Sequence, residues 1–312
     1  MNSKPAFEEL FEKPILYPDA DFKERLNELV GLDDQKQRLI KIISILVNRE
    51  KLLEWAKKHH PNSKKVISTV MRRPPLVVMA GDVGSGKTEL ALTIGDAIAR
   101  TEKINITLFP MSLSTRGQGR VGEMTQLISA AFDYTIEQAE KLKGKSGSSK
   151  GAVILLVDEA DALGQSRETS QMHHEDKAGV NAFIRGVDRI GNGKLPAAVI
   201  MCTNRIGAID PAIKRRAADI LSFNRPNDKE RHEVLDQPLK ELGFSEKEIG
   251  QMVSITGAHN GRDYGFTFSD LTQRLIPSII LDAYPDRAVT TDEAIEIAKN
   301  LIPTSPFKET EL

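Results

Sequence analysis

A chain of 312 residues with 40% hydrophobic and 5% aromatic content is long enough for one large core or two packed domains, and it shows neither disorder nor fibre bias. Lys plus Arg at 43 against Asp plus Glu at 44 gives a formal net charge of -1, which excludes a global field pulling the chain toward nucleic acid or acidic membrane; a nucleic-acid role would need a local patch. The single cysteine, Cys202 in the apolar run AAVIMCT, excludes an internal disulfide and reads as a buried small hydrophobe in a reducing compartment.

In chain order, the opening MNSKPAFEELFEKP has acidic residues where a signal peptide would have an apolar core. No run approaches the ~18 apolar residues of a membrane span, so the expected address is cytoplasmic. Between residues 21 and 58, Phe22, Leu26, Leu29, Leu39, Ile42, Ile43, Leu46 and Leu53 recur at helical spacing around the turn-like VGLDD, predicting two helices and a loop. HHPNSKK, 59–65, reads as a polar loop. LVVMA, 76–80, is a continuous β-branched and apolar run, the mark of a strand buried on both faces. Similar runs follow at 104–109, 152–157 and 197–203, with a weaker one at 219–223, and helical stretches lie between most of them.

That alternation predicts an α/β class: a mainly parallel sheet sandwiched by helices, with ligands at the carboxyl ends of the strands. After Pro226 the pattern is helical only, through residue 242, then 246–255, 269–283 and 291–301, the last with a Thr290 to Glu293 capping box. The expected division is an extension over 1–28, an α/β body over 29–225 and a small all-helical lid over 226–312. KLKGKSGSSKG, 141–151, reads as a surface loop, since no aromatic residue interleaves its charges as a nucleic-acid patch would require.

The chemistry begins where LVVMA meets Gly81-Asp82-Val83-Gly84-Ser85-Gly86-Lys87-Thr88. This is the P-loop spacing in its strand, loop, helix context. Its glycines let successive N–H groups and the helix start face a phosphate; Lys87 can reach the β- and γ-phosphates, and the Thr88 hydroxyl can ligate Mg²⁺. The bland alternative, a glycine-rich turn, must explain why spacing, residue types and flanks all agree. AVILLVDEADAL then places Asp158 and Glu159 at the end of a buried strand, Asp158 to hold Mg²⁺ and Glu159 to polarise the water that attacks the γ-phosphate. An ordinary acidic helix start is the competing reading there.

With GDVGSGKT, VILLVDEADAL and VIMCTNRIGAIDPAIKRRAADIL in order before a helical lid, the chain resembles the AAA+ ATPases over about residues 29 to 300. The resemblance implies a P-loop nucleoside triphosphatase module using ATP and Mg²⁺. It implies that Asn204 is the sensor-1 residue bonding the attacking water or γ-phosphate, and that Gly31 and Leu32 of VGLDD lie on the adenine side. It also implies that Arg216 is an arginine finger reaching a neighbouring subunit's γ-phosphate, with Arg215 making an intersubunit salt bridge. Structural alternatives are a strand-end turn for Asn204 and helix-dipole partners for the arginines. The lid position that carries the family's sensor-2 arginine holds Ser269 to Leu271 here; Arg274, one turn later, stands in for it, a solvated helical arginine being the alternative.

Within that family, IDPAIKRRAADI, 209–220, and RLIPSIILDAY, 274–284, resemble the pachytene-checkpoint-type ATPases, which remodel HORMA-domain proteins. The short leader ahead of VGLDD resembles the bacterial form associated with cyclic-oligonucleotide antiphage signalling. The resemblance implies a homohexameric ring acting on a HORMA-domain protein, bound in turn to a cyclic-oligonucleotide synthase, with no membrane or nucleic-acid partner. Such remodellers grip substrate with an aromatic pore loop before a Gly-Glu pair, but this chain has Arg120 and Val121 before Gly122-Glu123. His173 and His174, with no Cys nearby, read as solvated loop histidines rather than metal ligands. A nucleic-acid-coupled motor or loader is the alternative function; near-zero net charge and no recognisable DNA-binding module count against it.

Overall fold

A computed structural model describes residues 7–113, 123–144, 149–163, 174–205, 207, 209–259 and 262–306. Six strands form one sheet: β1 Ile15–Tyr17, β2 Leu76–Gly81, β3 Asn105–Ser112, β4 Gly151–Asp158, β5 Ala197–Thr203 and β6 Ala217–Phe223. Their order is β1-β3-β4-β5-β2-β6. β3, β4, β5 and β2 pair in parallel, while β1 is antiparallel to β3 with Ile15 opposite Leu108. Five of these strands coincide with the apolar runs in the sequence; three-residue β1 carries no period to detect.

The central strands are buried on both faces, as their unbroken hydrophobicity requires. Val78, Leu155, Val199 and Met201 pack with Ile128, Phe132, Phe183 and Val187 of helices Glu123–Leu142 and His174–Gly193. The alternate positions Val77, Met79, Ile154, Ile200 and Cys202 are equally buried. Tyr17 lies against Gly95 of helix Lys87–Glu102, and its hydroxyl donates to the Leu92 carbonyl.

Both edge strands carry features that discourage further pairing. β1 sits between Pro14 and Pro18. Along β6, Arg73 Nη2 donates to the Ala218 carbonyl at 2.5 Å, Gln35 Nε2 to the Ser222 carbonyl at 3.2 Å, and Arg38 pairs with Asp219 at 2.6 Å.

By its contacts the chain divides into two units. The first holds the residues up to Ser222 except two short segments; the second gathers Leu29–Asp33 and Gly81–Lys87 with the chain from Phe223 on. The second unit has its own core, in which Leu235, Leu239, Ile249, Met252, Phe266 and Leu271 are buried together. Its helices are Asp228–Glu241, Glu246–Thr256, Ile276–Ala283 and Thr291–Asn300.

The structure corrects four local expectations. The segment from 21 to 58 contains three helices, Ala20–Glu28, Asp33–Val47 and Arg49–His59, broken at Asn48. The polar loop ends at Ser63, because helix Lys64–Met71 follows with Ile67 buried. The helix expected over 269–283 begins as a π-helical segment, Asp270–Leu275, before Ile276–Ala283. Thr290 makes no side-chain cap to the backbone and instead donates its hydroxyl to Glu293 at 2.5 Å. No helix among the described residues is long and apolar enough to cross a membrane.

Candidate functional site

β4, β5 and β2 are parallel neighbours, with Val157 opposite Met201 and Ala80 opposite Thr203, so their carboxyl ends lie on one side of the sheet. This is where ligands of open α/β sheets bind.

The loop after β2 is a curled backbone. A Cβ at Gly81 would come within 1.9 Å of the Phe223 carbonyl oxygen, and Gly84, at φ +69°, would place one 2.7 Å from Thr267 Oγ1; neither site admits a side chain. Ser85 is buried and donates Oγ to the Asp82 carbonyl at 2.6 Å, while Val83 is exposed. Lys87, 6% exposed, donates Nζ to the carbonyls of Gly81 at 3.0 Å and Asp82 at 2.7 Å. A phosphate oxygen could replace those acceptors without moving the lysine's stem. Thr88, in the first turn of Lys87–Glu102, is exposed. Leu32 is buried with Cδ1 over Gly86, and neighbouring Gly31 turns at φ +72° beside Phe268.

At the end of β4, Asp158 Oδ1 accepts from the Glu159 amide at 2.8 Å. Glu159 is held at φ +51°, a left-handed conformation costing a residue with a Cβ of order 1 kcal/mol and concentrated at functional positions. Its carboxylate accepts from Ser112 Oγ, at the end of β3, at 2.6 Å. At the end of β5, Asp161 clamps the next residue: it accepts from Thr203 Oγ1 at 2.6 Å, from Asn204 N at 2.8 Å and from Asn204 Nδ2 at 3.0 Å. Asn204 is thereby fixed through both its backbone and its amide.

Helix Pro211–Lys214, capped by Asp210 through the Ala212 amide, delivers the two arginines. Arg216 Nε donates to both oxygens of Asp188, at 2.8 and 3.0 Å, and that hydrogen bond raises its pKa. Arg215 is exposed, and its side chain has no partner among the described residues. In the second unit, Arg274 donates to Asp270 at 2.8 Å. Arg120, Val121 and His173 lie outside the described residues, and His174 starts a helix.

Ser112, Asp161, Asp188 and Arg225 carry no signal in the sequence; each is joined to its partner by tertiary pairing, and no local spacing marks it. Among the described residues, one His/acid group is close enough to share an ion: His232, Asp236 and Glu246. Lys240 already supplies its cation, at 2.6 Å from Asp236 and 3.3 Å from Glu246.

A family model described as "ATPase family associated with various cellular activities (AAA)" matches residues 77–225. CD-NTase-associated protein 6 of Escherichia coli (strain MS 115-1) is 62% identical over 307 residues, covering 98% of this chain and 99% of that one. A chain of the solved E. coli MS115-1 HORMA:CdnC:Trip13 complex superposes with a TM-score of 0.91 at 61% identity, covering 98% of this chain and 100% of that chain. The solved Rhizobiales Trip13 gives a TM-score of 0.74 at 54% identity, over 95% of this chain and 100% of its own. The P-loop, the strand-end acidic pair and this end-to-end similarity lead to one conclusion: the chain belongs to the AAA ATPase family, in the group of CD-NTase-associated protein 6.

Proposed function

We propose that the protein hydrolyses ATP as a ring of six identical copies and uses that energy to unfold part of, or disassemble, a HORMA-domain protein complex, switching off a second-messenger nucleotide synthase. The observation that carries this reading is the near-complete overlap, at 61% identity, with a chain solved in a HORMA:CdnC:Trip13 complex. In this reading residues 29–225 are the ATPase body, 226–312 the lid and 1–28 an extension, and the protein works in the cytoplasm.

Each role follows from the chemistry of the group. The backbone of Gly81 to Gly86 cradles phosphates; Lys87 exchanges its loop carbonyls for phosphate oxygens. Thr88 and Asp158 would hold Mg²⁺, a fit supported by an exposed hydroxyl at a helix start and a carboxylate at a strand end. Magnesium, when bound, neutralises charge developing on the phosphates. Glu159 orients and deprotonates the attacking water, Asn204 positions that water or the γ-phosphate, and Gly31 with Leu32 borders the adenine. Arg216 and Arg215 face the neighbouring copy, Arg216 as the finger; Arg274 senses nucleotide from the lid, and Arg120 with Val121 contacts substrate in the pore.

The test is Glu159→Gln. With ATP it should bind nucleotide, stay assembled and retain a HORMA-domain protein in pull-down while hydrolysis is lost. Normal turnover in this variant would refute the assignment. An ATPase rate raised by DNA but not by a HORMA-domain protein would favour a nucleic-acid-coupled motor instead.

A further inference from the structure

A phosphate loop collects negative charge, yet the second residue of this one is an aspartate. Asp82 sits between Gly81 and Val83, and its Oδ1 accepts from the Val83 amide at 2.9 Å, which holds the carboxylate against the loop's backbone. Two like charges in one cradle repel, and they do so strongly where water is scarce. Asp82 is only 17% exposed in its side chain.

The compensating charge arrives from 143 residues away in the sequence. Arg225, in the turn that leaves β6, is 13% exposed and places Nε 2.5 Å from Asp82 Oδ2. Its Nη1 donates to the Gly265 carbonyl at 2.7 Å, and its guanidinium carbon lies 4.9 Å from the centre of the Tyr264 ring. The adjoining residues touch the same loop: Ser269 N donates to the Gly84 carbonyl at 3.1 Å. One guanidinium therefore holds the carboxylate of the phosphate loop and a carbonyl of the 264–265 turn.

We propose that Arg225 is a positioning residue for nucleotide binding: it neutralises Asp82, which makes an acidic phosphate loop compatible with a triphosphate, and it fastens that loop to the 264–265 turn. The proposal rests on the nucleotide-binding reading of the P-loop. The Lys87 ammonium donates to the loop's carbonyls and to Ser85 Oγ, whereas Arg225 is paired with the Asp82 carboxylate directly.

The test is a set of four full-length proteins, wild type, Arg225→Gln, Asp82→Asn and the double variant, titrated with Mg·ATP by calorimetry, with thermal melts of each. Arg225→Gln exposes the triphosphate to an unpaired carboxylate and should weaken affinity about tenfold or more. Asp82→Asn removes the like charge, leaves an unpaired cation beside the loop and should tighten Mg·ATP binding. The double variant should recover most of the loss, and added salt should narrow the gap between Arg225→Gln and wild type. If both single variants weaken binding and the double is no better, the pair is merely structural and the proposal is overturned. It is equally overturned if Arg225→Gln binds like wild type. Failure of the wild type itself to bind Mg·ATP would instead sink the nucleotide-binding reading.

Discussion

Replacing Asp161 with alanine removes the acceptor for three donors at once. Thr203, 1% exposed, loses the partner of its hydroxyl at 2.6 Å; Asn204 loses the partners of its amide N–H and of its side-chain Nδ2. Hydrogen bonds to a charged acceptor contribute about 1.5–3 kcal/mol each, but Asn204 is only partly buried and water can re-satisfy some of its share. The Thr203 hydroxyl, which also accepts from Arg205 N at 3.1 Å, has no such recourse. The expected loss is about 3 kcal/mol, a fall in melting temperature of about 6–12 °C for a unit of this size. Because the clamp also fixes Asn204, kcat for ATP hydrolysis should drop about tenfold or more while the KM for ATP shifts little. Thermal melts and steady-state phosphate release measure the two effects separately. Hydrolysis by Asp161→Ala at the wild-type rate, under conditions where Asn204→Ala is slowed, would exclude the clamp as what positions Asn204.

Two further outcomes follow. If Arg216 acts on a neighbouring copy, mixing Arg216→Ala with Lys87→Ala protein should restore some ATPase activity, since one kind of interface keeps both an intact cradle and an intact finger; no recovery at any ratio excludes action in trans. Burial, the largest influence on Asp270, raises its pKa, yet hydrogen bonds from Thr267, Thr304 and Arg274 outweigh it and leave the carboxyl below its ordinary 3.8. A depressed folded-state pKa contributes stability that is complete above the unfolded value and vanishes as pH falls through the folded one. Asp270→Asn should therefore be less stable by about 2 kcal/mol at pH 7 and lose less than wild type on acidification below about pH 4, as read by denaturant titration at both pH values. Equal losses would refute the assignment.

What could be read from the residues alone depended on how local the physics was. Strands buried on both faces announce themselves as unbroken apolar runs, and β5 begins and ends where AAVIMCT does. The placement of the glycine-rich loop between β2 and a helix, and of Asp158 at the end of β4, was legible because each pattern sits within a dozen residues. Helix Lys64–Met71 was partly hidden because its β-branched KKVISTVM follows a polar turn and buries one residue, Ile67. β1 exists only through its pairing with β3. The same holds for Ser112 with Glu159, Asp188 with Arg216 and Arg225 with Asp82: no sequence period links residues 28 to 143 positions apart. The π-helical turn at Asp270–Leu275 escaped for a different reason, since its apolar spacing differs from an α-helix by less than one residue.

The guarded borders of the sheet bear on how copies of this protein can meet. A proline at either end of Ile15–Tyr17 offers no amide hydrogen to an incoming chain, and on the opposite flank arginine and glutamine side chains already occupy the outward carbonyls of residues 218 and 222. Pairing of a further strand backbone to backbone is thus disfavoured at both flanks, a guard against fibre growth that leaves the side-chain surfaces untouched.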